Sequence, residues 1–168
     1  YINFNLSKMH VLRFFFGCCF LMGSDILPSL IIIVICIILS AYFSATETAF
    51  SSLNKTKIKT MAEKGQKRVK LVCNLVDEYD KLISTILIGN NIVNILLSSI
   101  GTVLFVKIYG NIGATISTVV VTIVVLIFGE ITPKSIAKDF PEKFAVFSAP
   151  LINFFIIIFT LLNFIFTQ

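Results

Sequence analysis

Long apolar runs alternate with short polar breaks along this chain, and the runs are long enough to cross a membrane. Four tracts stand out, at about 26–50, 82–106, 112–128 and 144–166. A helix needs about 20 predominantly apolar residues to cross the hydrocarbon core. The first two tracts meet that length outright, and the third meets it when carried through Ile131. The pattern predicts an all-α membrane protein with spans at about 27–50, 82–106 and 112–131. The tract at 144–166 contains Pro150 and reads either as a fourth span or as a kinked helix along the membrane interface. The polar stretch 54–81 has helix-forming content with a glycine interruption at Gly65, which predicts two short juxtamembrane helices. Residues 1–21 read as an N-terminal extension or a signal-like segment, with Lys8 and Arg13 ahead of a short apolar run and Met22 as the expected natural start. Residues 22–168 then form one membrane domain.

Composition sharpens this reading. The 168 residues are 57% hydrophobic, with a mean hydropathy of +0.95, which leaves no room for a large soluble domain. The net charge of +5 matters less than its placement. Seven of the fourteen basic residues fall in one stretch: Lys55, Lys57, Lys59, Lys64, Lys67, Arg68 and Lys70. Flanked by apolar spans, such a cluster marks a cytoplasmic loop rather than a nucleic-acid surface, and its basic faces suit anionic lipid headgroups. With 54–81 inside, the N-terminus lies outside, the second span returns outward and the third runs inward to Lys134, Lys138 and Lys143. The cysteines Cys18, Cys19, Cys36 and Cys73 form no C-x-x-C pair, and His10 is the only histidine. Zinc sites, disulfide frameworks and His-based catalysis are not expected, and no nucleophile–base pair suggests an enzyme.

Against this apolar background, the polar residues of the spans form stripes at helical spacing. Ser40, Ser44, Glu47 and Ser51 share one face of the first span, Asn90, Asn94 and Ser98 one face of the second, and Thr115, Thr118 and Thr122 one face of the third. Serines and threonines alone would read as helix–helix contacts. Glu47 and Glu130 change that, because they are the acids within the apolar tracts and an intramembrane carboxylate is a functional hypothesis by default. Glu130 sits in Gly129-Glu130-Ile131-Thr132-Pro133-Lys134. Pro133 is expected to break the helix and to free the Gly129 carbonyl from its helical partner. By helical rise, Ser44, Asn90 and Glu130 fall at similar depths, near the midplane or in its inner half. A hydroxyl, an amide, a carboxylate and a carbonyl at one depth would select a hard cation such as Mg²⁺, Ca²⁺ or Na⁺.

Three motifs occur in order: Phe43-Ser44-Ala45-Thr46-Glu47-Thr48-Ala49-Phe50, Gly89-Asn90-Asn91-Ile92-Val93-Asn94, and the Gly129–Lys134 hexapeptide. Together they resemble the transmembrane domain of the CorC/cyclin M (CNNM) family of magnesium transporters, whose bacterial members carry older hemolysin-like or TlyC-like names. The resemblance covers about Met22 to the end. It implies Mg²⁺ export driven by inward Na⁺, and a homodimer with three spans per subunit and juxtamembrane helices. It favours the interfacial belt reading of 144–166, with the C-terminus in the cytoplasm and nucleotide-binding CBS domains expected downstream. It implies an ion held by Ser44, by Asn90 or Asn94, by the Gly129 carbonyl and by Glu130, with Thr46 and Glu47 as secondary candidates. Two other functions remain in view: a structural or regulatory membrane anchor for those cytosolic domains, and a membrane-active, hemolysin-like protein.

Overall fold

The computed structural model describes residues 26–63 and 67–167, and the expectations for residues 1–21 lie outside them. The described residues form helices and no strand. Three stretches are long and apolar enough to cross a membrane: Ile26–Ser52, Tyr79–Asp139 and Pro141–Phe159. The first is helix α1. Helices α2 (Lys55–Glu63) and α3 (Lys67–Asp77) follow it, as the composition of 54–81 leads one to expect.

The second stretch is not one rod. Helix α4 (Tyr79–Tyr109) ends at Gly110, which takes φ 64° and lets the chain turn back. Helix α5 (Gly113–Val124) then returns along α4. A methyl group on Gly101 would lie 2.8 Å from Val121 Cγ2, so residues on either side of the turn face each other. The chain continues without a break through a π-helical segment, Val125–Ile131, into α6 (Thr132–Asp139). Helix α7 (Pro141–Thr167) completes the fold.

Helix α1 is the centre of the packing, in contact with α4, the π segment, α6 and α7. Its surface is arranged opposite to that of a helix in a water-soluble protein. The buried face holds Ser29, Cys36, Ser40, Ser44, Ala45, Thr46 and Ala49 with Phe43 and Phe50 among them, while Ile31, Val34, Ile35 and Ile38 point outward. Lipid tails solvate aliphatic side chains as well as a protein interior does, so small residues that allow close backbone approach are the ones that face other helices.

The juxtamembrane helices pack by ordinary amphipathic rules. Asn54 caps α2 by accepting from the Lys57 amide at 3.1 Å. Ile58, Val69, Val72 and Leu75 are buried beneath exposed lysines. Lys57 also pairs with Glu142 at 3.1 Å, tying α2 to the start of α7.

Helix α7 packs against α1. The Tyr42 hydroxyl donates to the Ser148 carbonyl at 2.8 Å. The neighbouring Phe43 ring meets Phe155 at 5.1 Å between centroids. Pro150 lies within α7 and the helix continues through it.

The hairpin rests on Gly113, where an added Cβ would stand 2.4 Å from the Phe105 carbonyl oxygen. That obstacle is backbone and cannot rotate away, whereas the obstacle at Gly101 is a valine methyl. Gly113→Ala is therefore expected to lower stability by about 1–3 kcal/mol, and by more than Gly101→Ala. Thermal unfolding of the two variants in detergent checks the order.

Candidate functional site

Two glycines bring the polar faces together on α1. At Gly89, the position of a Cβ is filled by the Phe43 ring, whose Cζ lies 2.6 Å from it. A side chain there would push α4 away from α1. At Gly129, a Cβ would stand 3.0 Å from Ser40 Oγ. The first glycine seats α4, and with it Asn90, against α1; the second seats the π segment.

Between these contacts lies a cluster of oxygens. Ser40 Oγ is 2.9 Å from Asn94 Oδ1 and 3.2 Å from Asn90 Oδ1, with the hydroxyl as donor. A hydroxyl has one proton, so two carbonyl-type oxygens converge on a single donor. One turn along the same face of α1 is Ser44, fully buried. Its Oγ has no hydrogen-bond partner. A buried, unsatisfied hydroxyl costs about 1–3 kcal/mol and calls for an explanation such as a bound water or ion.

Pro133 does not break the helix, contrary to the sequence expectation. Backbone angles stay right-handed helical across the region, with Ile131 at φ −65°, ψ −55° and Thr132 at φ −62°, ψ −49°. The preceding turns are wide, and the Thr132 amide bonds to the Ile127 carbonyl, five residues back. The proline then falls in the first turn of α6, where a missing N–H costs least. The wide turn also changes the phase of the helix. Gly129 is buried against α1, whereas Thr115, Thr118 and Thr122 are exposed on the outer side of α5. The threonine stripe is thus not part of the cluster, and Ser117 and Val121 face α4 in its place.

The other predicted residues divide cleanly. Glu130 is partly buried beside Gly129 and is in no ion pair among the described residues. Thr46 is buried, and its hydroxyl donates back to the Tyr42 carbonyl at 2.7 Å. Glu47 pairs with Lys134 at 3.4 Å. Ser98 is exposed, and Ser51 meets the Tyr79 hydroxyl at 3.2 Å, away from the cluster. Two residues were missed, one in the cluster and one at its edge. Ser40 was visible in the first-span stripe but not singled out, and Lys134 was read only as a marker of the cytoplasmic side. Among the described residues no three His, Cys, Asp or Glu side chains gather as a metal-binding group. The cluster is instead rich in neutral oxygens, a donor set for hard cations.

These features define a membrane-embedded helical domain with a polar, glycine-seated cluster at its centre. Residues 31–168 match the family described as the cyclin M transmembrane N-terminal domain, and the chain belongs to that family. It is 48% identical over 107 residues to the UPF0053 inner membrane protein YfjD of Escherichia coli, covering 64% of this chain and 25% of that protein. It is 44% identical over 123 residues to a UPF0053 protein of Haemophilus influenzae, covering 73% of this chain and 29% of that one. A protein of the same organism named polyamine export protein is 27% identical over 148 residues, covering 80% of this chain and 34% of that one. The chain thus spans about a quarter to a third of the length of these relatives.

The hydroxyls of Ser40 and Ser44 are expected to affect stability in opposite directions. Ser40→Ala removes the donor that two partly buried amide oxygens share and should destabilise by about 1 kcal/mol. Ser44→Ala removes an unpartnered buried hydroxyl and should be neutral or slightly stabilising when divalent cations are chelated. Unfolding in detergent with EDTA measures both.

Proposed function

We propose that this domain carries Mg²⁺ across the membrane as an exporter, with Na⁺ moving inward as the coupling ion. One observation carries the reading: the buried, unpartnered Ser44 hydroxyl stands one helical turn from the point where Asn90 and Asn94 oxygens converge on Ser40. Gly129 and Glu130 belong to the π segment, which packs on Ser40 at Gly129. In this reading Ser44, Asn90 and Asn94 supply neutral oxygens and Glu130 supplies the charge that offsets dehydration. Mg²⁺ gives up its water reluctantly, so it keeps part of its hydration shell in the site. Thr46 has a smaller part, since its hydroxyl already serves the Tyr42 carbonyl.

The membrane placement in this proposal follows the charges. The lysine-rich α2 and α3 lie in the cytoplasm against anionic headgroups, the N-terminus lies outside and the C-terminus inside. In this reading 144–166 lies along the interface as a belt rather than crossing as a fourth span. The exposed Thr115, Thr118 and Thr122 stripe supports a homodimer, because such stripes pack against other helices in membranes. CBS domains on the cytosolic side would be the regulatory partners.

The relative named as a polyamine exporter supports a second reading, in which the cargo is an organic polycation. A polyamine is long and needs a row of acceptors, whereas the cluster here is compact and its central hydroxyl is fully buried. That contrast favours a small inorganic ion.

Flux measurements on the full-length protein in proteoliposomes separate these readings. Mg²⁺ efflux should rise with an opposing Na⁺ gradient, and Glu130→Gln should reduce it on the order of tenfold or more by removing the carboxylate that offsets the ion's dehydration. Spermidine movement without Mg²⁺ movement would support the polyamine reading. Absence of both, with a folded protein, would leave the domain as an anchor.

A further inference from the structure

The pair of Lys134 and Glu47 lies beside the cluster, not within it. Glu47 follows Ser44 by three residues on α1, and Lys134 follows Glu130 by four on the π segment and α6. Each is about one helical turn beyond a candidate ion-binding residue. Lys134 Nζ stands 3.4 Å from Glu47 Oε2, and the two side chains are 42% and 30% exposed. Both remain within reach of water at the edge of the apolar region. Glu130, a turn away, is in no ion pair among the described residues.

We propose that Lys134 is a built-in competitor of the transported cation, holding Glu47 away from the site and so setting its affinity low enough for release. This rests on the reading of the cluster as a divalent-cation site. Glu47, Glu130 and Lys134 together carry a net charge of −1, so a divalent ion at Glu130 leaves the local group at +1. Without the lysine the two carboxylates would neutralise the ion fully, and a carrier that holds its cargo that tightly is slow to release it. Four-residue spacing also puts Lys134 within reach of Glu130 on the same helix face, so removal of Glu47 lets the ammonium turn to Glu130.

The proposal therefore fixes opposite signs for two substitutions. Lys134→Met keeps the length and apolar stem of the side chain and removes its charge. It should tighten Mg²⁺ binding about tenfold or more while lowering the maximal rate of transport. Glu47→Gln should weaken Mg²⁺ binding. Lys134→Arg should stay near the parent protein, and Lys134→Met combined with Glu47→Gln should fall between the single variants. A pair that only holds α1 to α6 predicts something else: Lys134→Met and Glu47→Gln would both loosen the site and both weaken binding.

The test is a Mg²⁺ titration of purified full-length protein by calorimetry, with transport KM and maximal rate measured in proteoliposomes. Tighter binding with slower turnover in Lys134→Met supports the proposal. Unchanged or weaker binding in that variant, with the parent protein binding Mg²⁺, overturns it and leaves the cation site standing. If the parent binds no Mg²⁺, the site reading fails and this inference with it. Should Lys134→Met fail to fold, Lys134→Gln gives the same sign test.

Discussion

Two close approaches to α1, at Gly89 and at Gly129, hold the rest of the structure in place. Neither position has room for a Cβ without moving a neighbour: Phe43 fills the space at Gly89, and Ser40 stands against Gly129. In lipid there is no net gain from hiding aliphatic surface between helices, so contact and polar complementarity must hold the bundle together. The two glycines provide the contact. The Ser40 hydroxyl and the Asn90 and Asn94 amides provide the complementarity. The same approach leaves Ser44 enclosed without a partner. Packing and site are thus one arrangement: the helices close around a point that remains polar.

The π segment is what reconciles this closure with the sequence around Pro133. A regular α-helix through 113–139 would place an imino nitrogen where an amide donor is needed. It would also carry the threonine face and the Gly129 face in a different relation. Widening the turn over Val125–Ile131 relieves both conflicts, because the proline reaches the first turn of α6 and Gly129 comes to face α1. π turns recur at functional sites for this reason: an extra residue in the ladder changes which side chains share a face.

Much of this was legible from the chain alone. Apolar tracts of membrane-crossing length gave the helices, and the polar stretch 54–81 gave the juxtamembrane helices α2 and α3. Ser44, Asn90 and Asn94 were legible because polar residues at helical spacing stand out in an apolar run. What sequence periodicity did not give was phase and partner. A period of 3.6 residues groups Thr115, Thr118 and Thr122 on one face of α5 but does not say which face meets a neighbour, and that face is exposed. The pairing of Lys134 with Glu47 joins residues far apart in the chain, and no local pattern encodes it. Ser40 lay within a visible stripe, yet its place at the convergence of two asparagines depends on how closely α4 approaches α1.

The central claim is that the enclosed oxygen cluster holds a divalent cation. Crystals of the full-length protein grown with Mn²⁺, which accepts the same octahedral oxygen coordination as Mg²⁺, allow the ion to be located by its anomalous scattering. The account predicts one peak among Ser44, Asn90, Asn94 and Glu130, at about 2.0–2.3 Å from its protein oxygens. A cluster that stays without such a peak while Mn²⁺ binds elsewhere on the protein would contradict it.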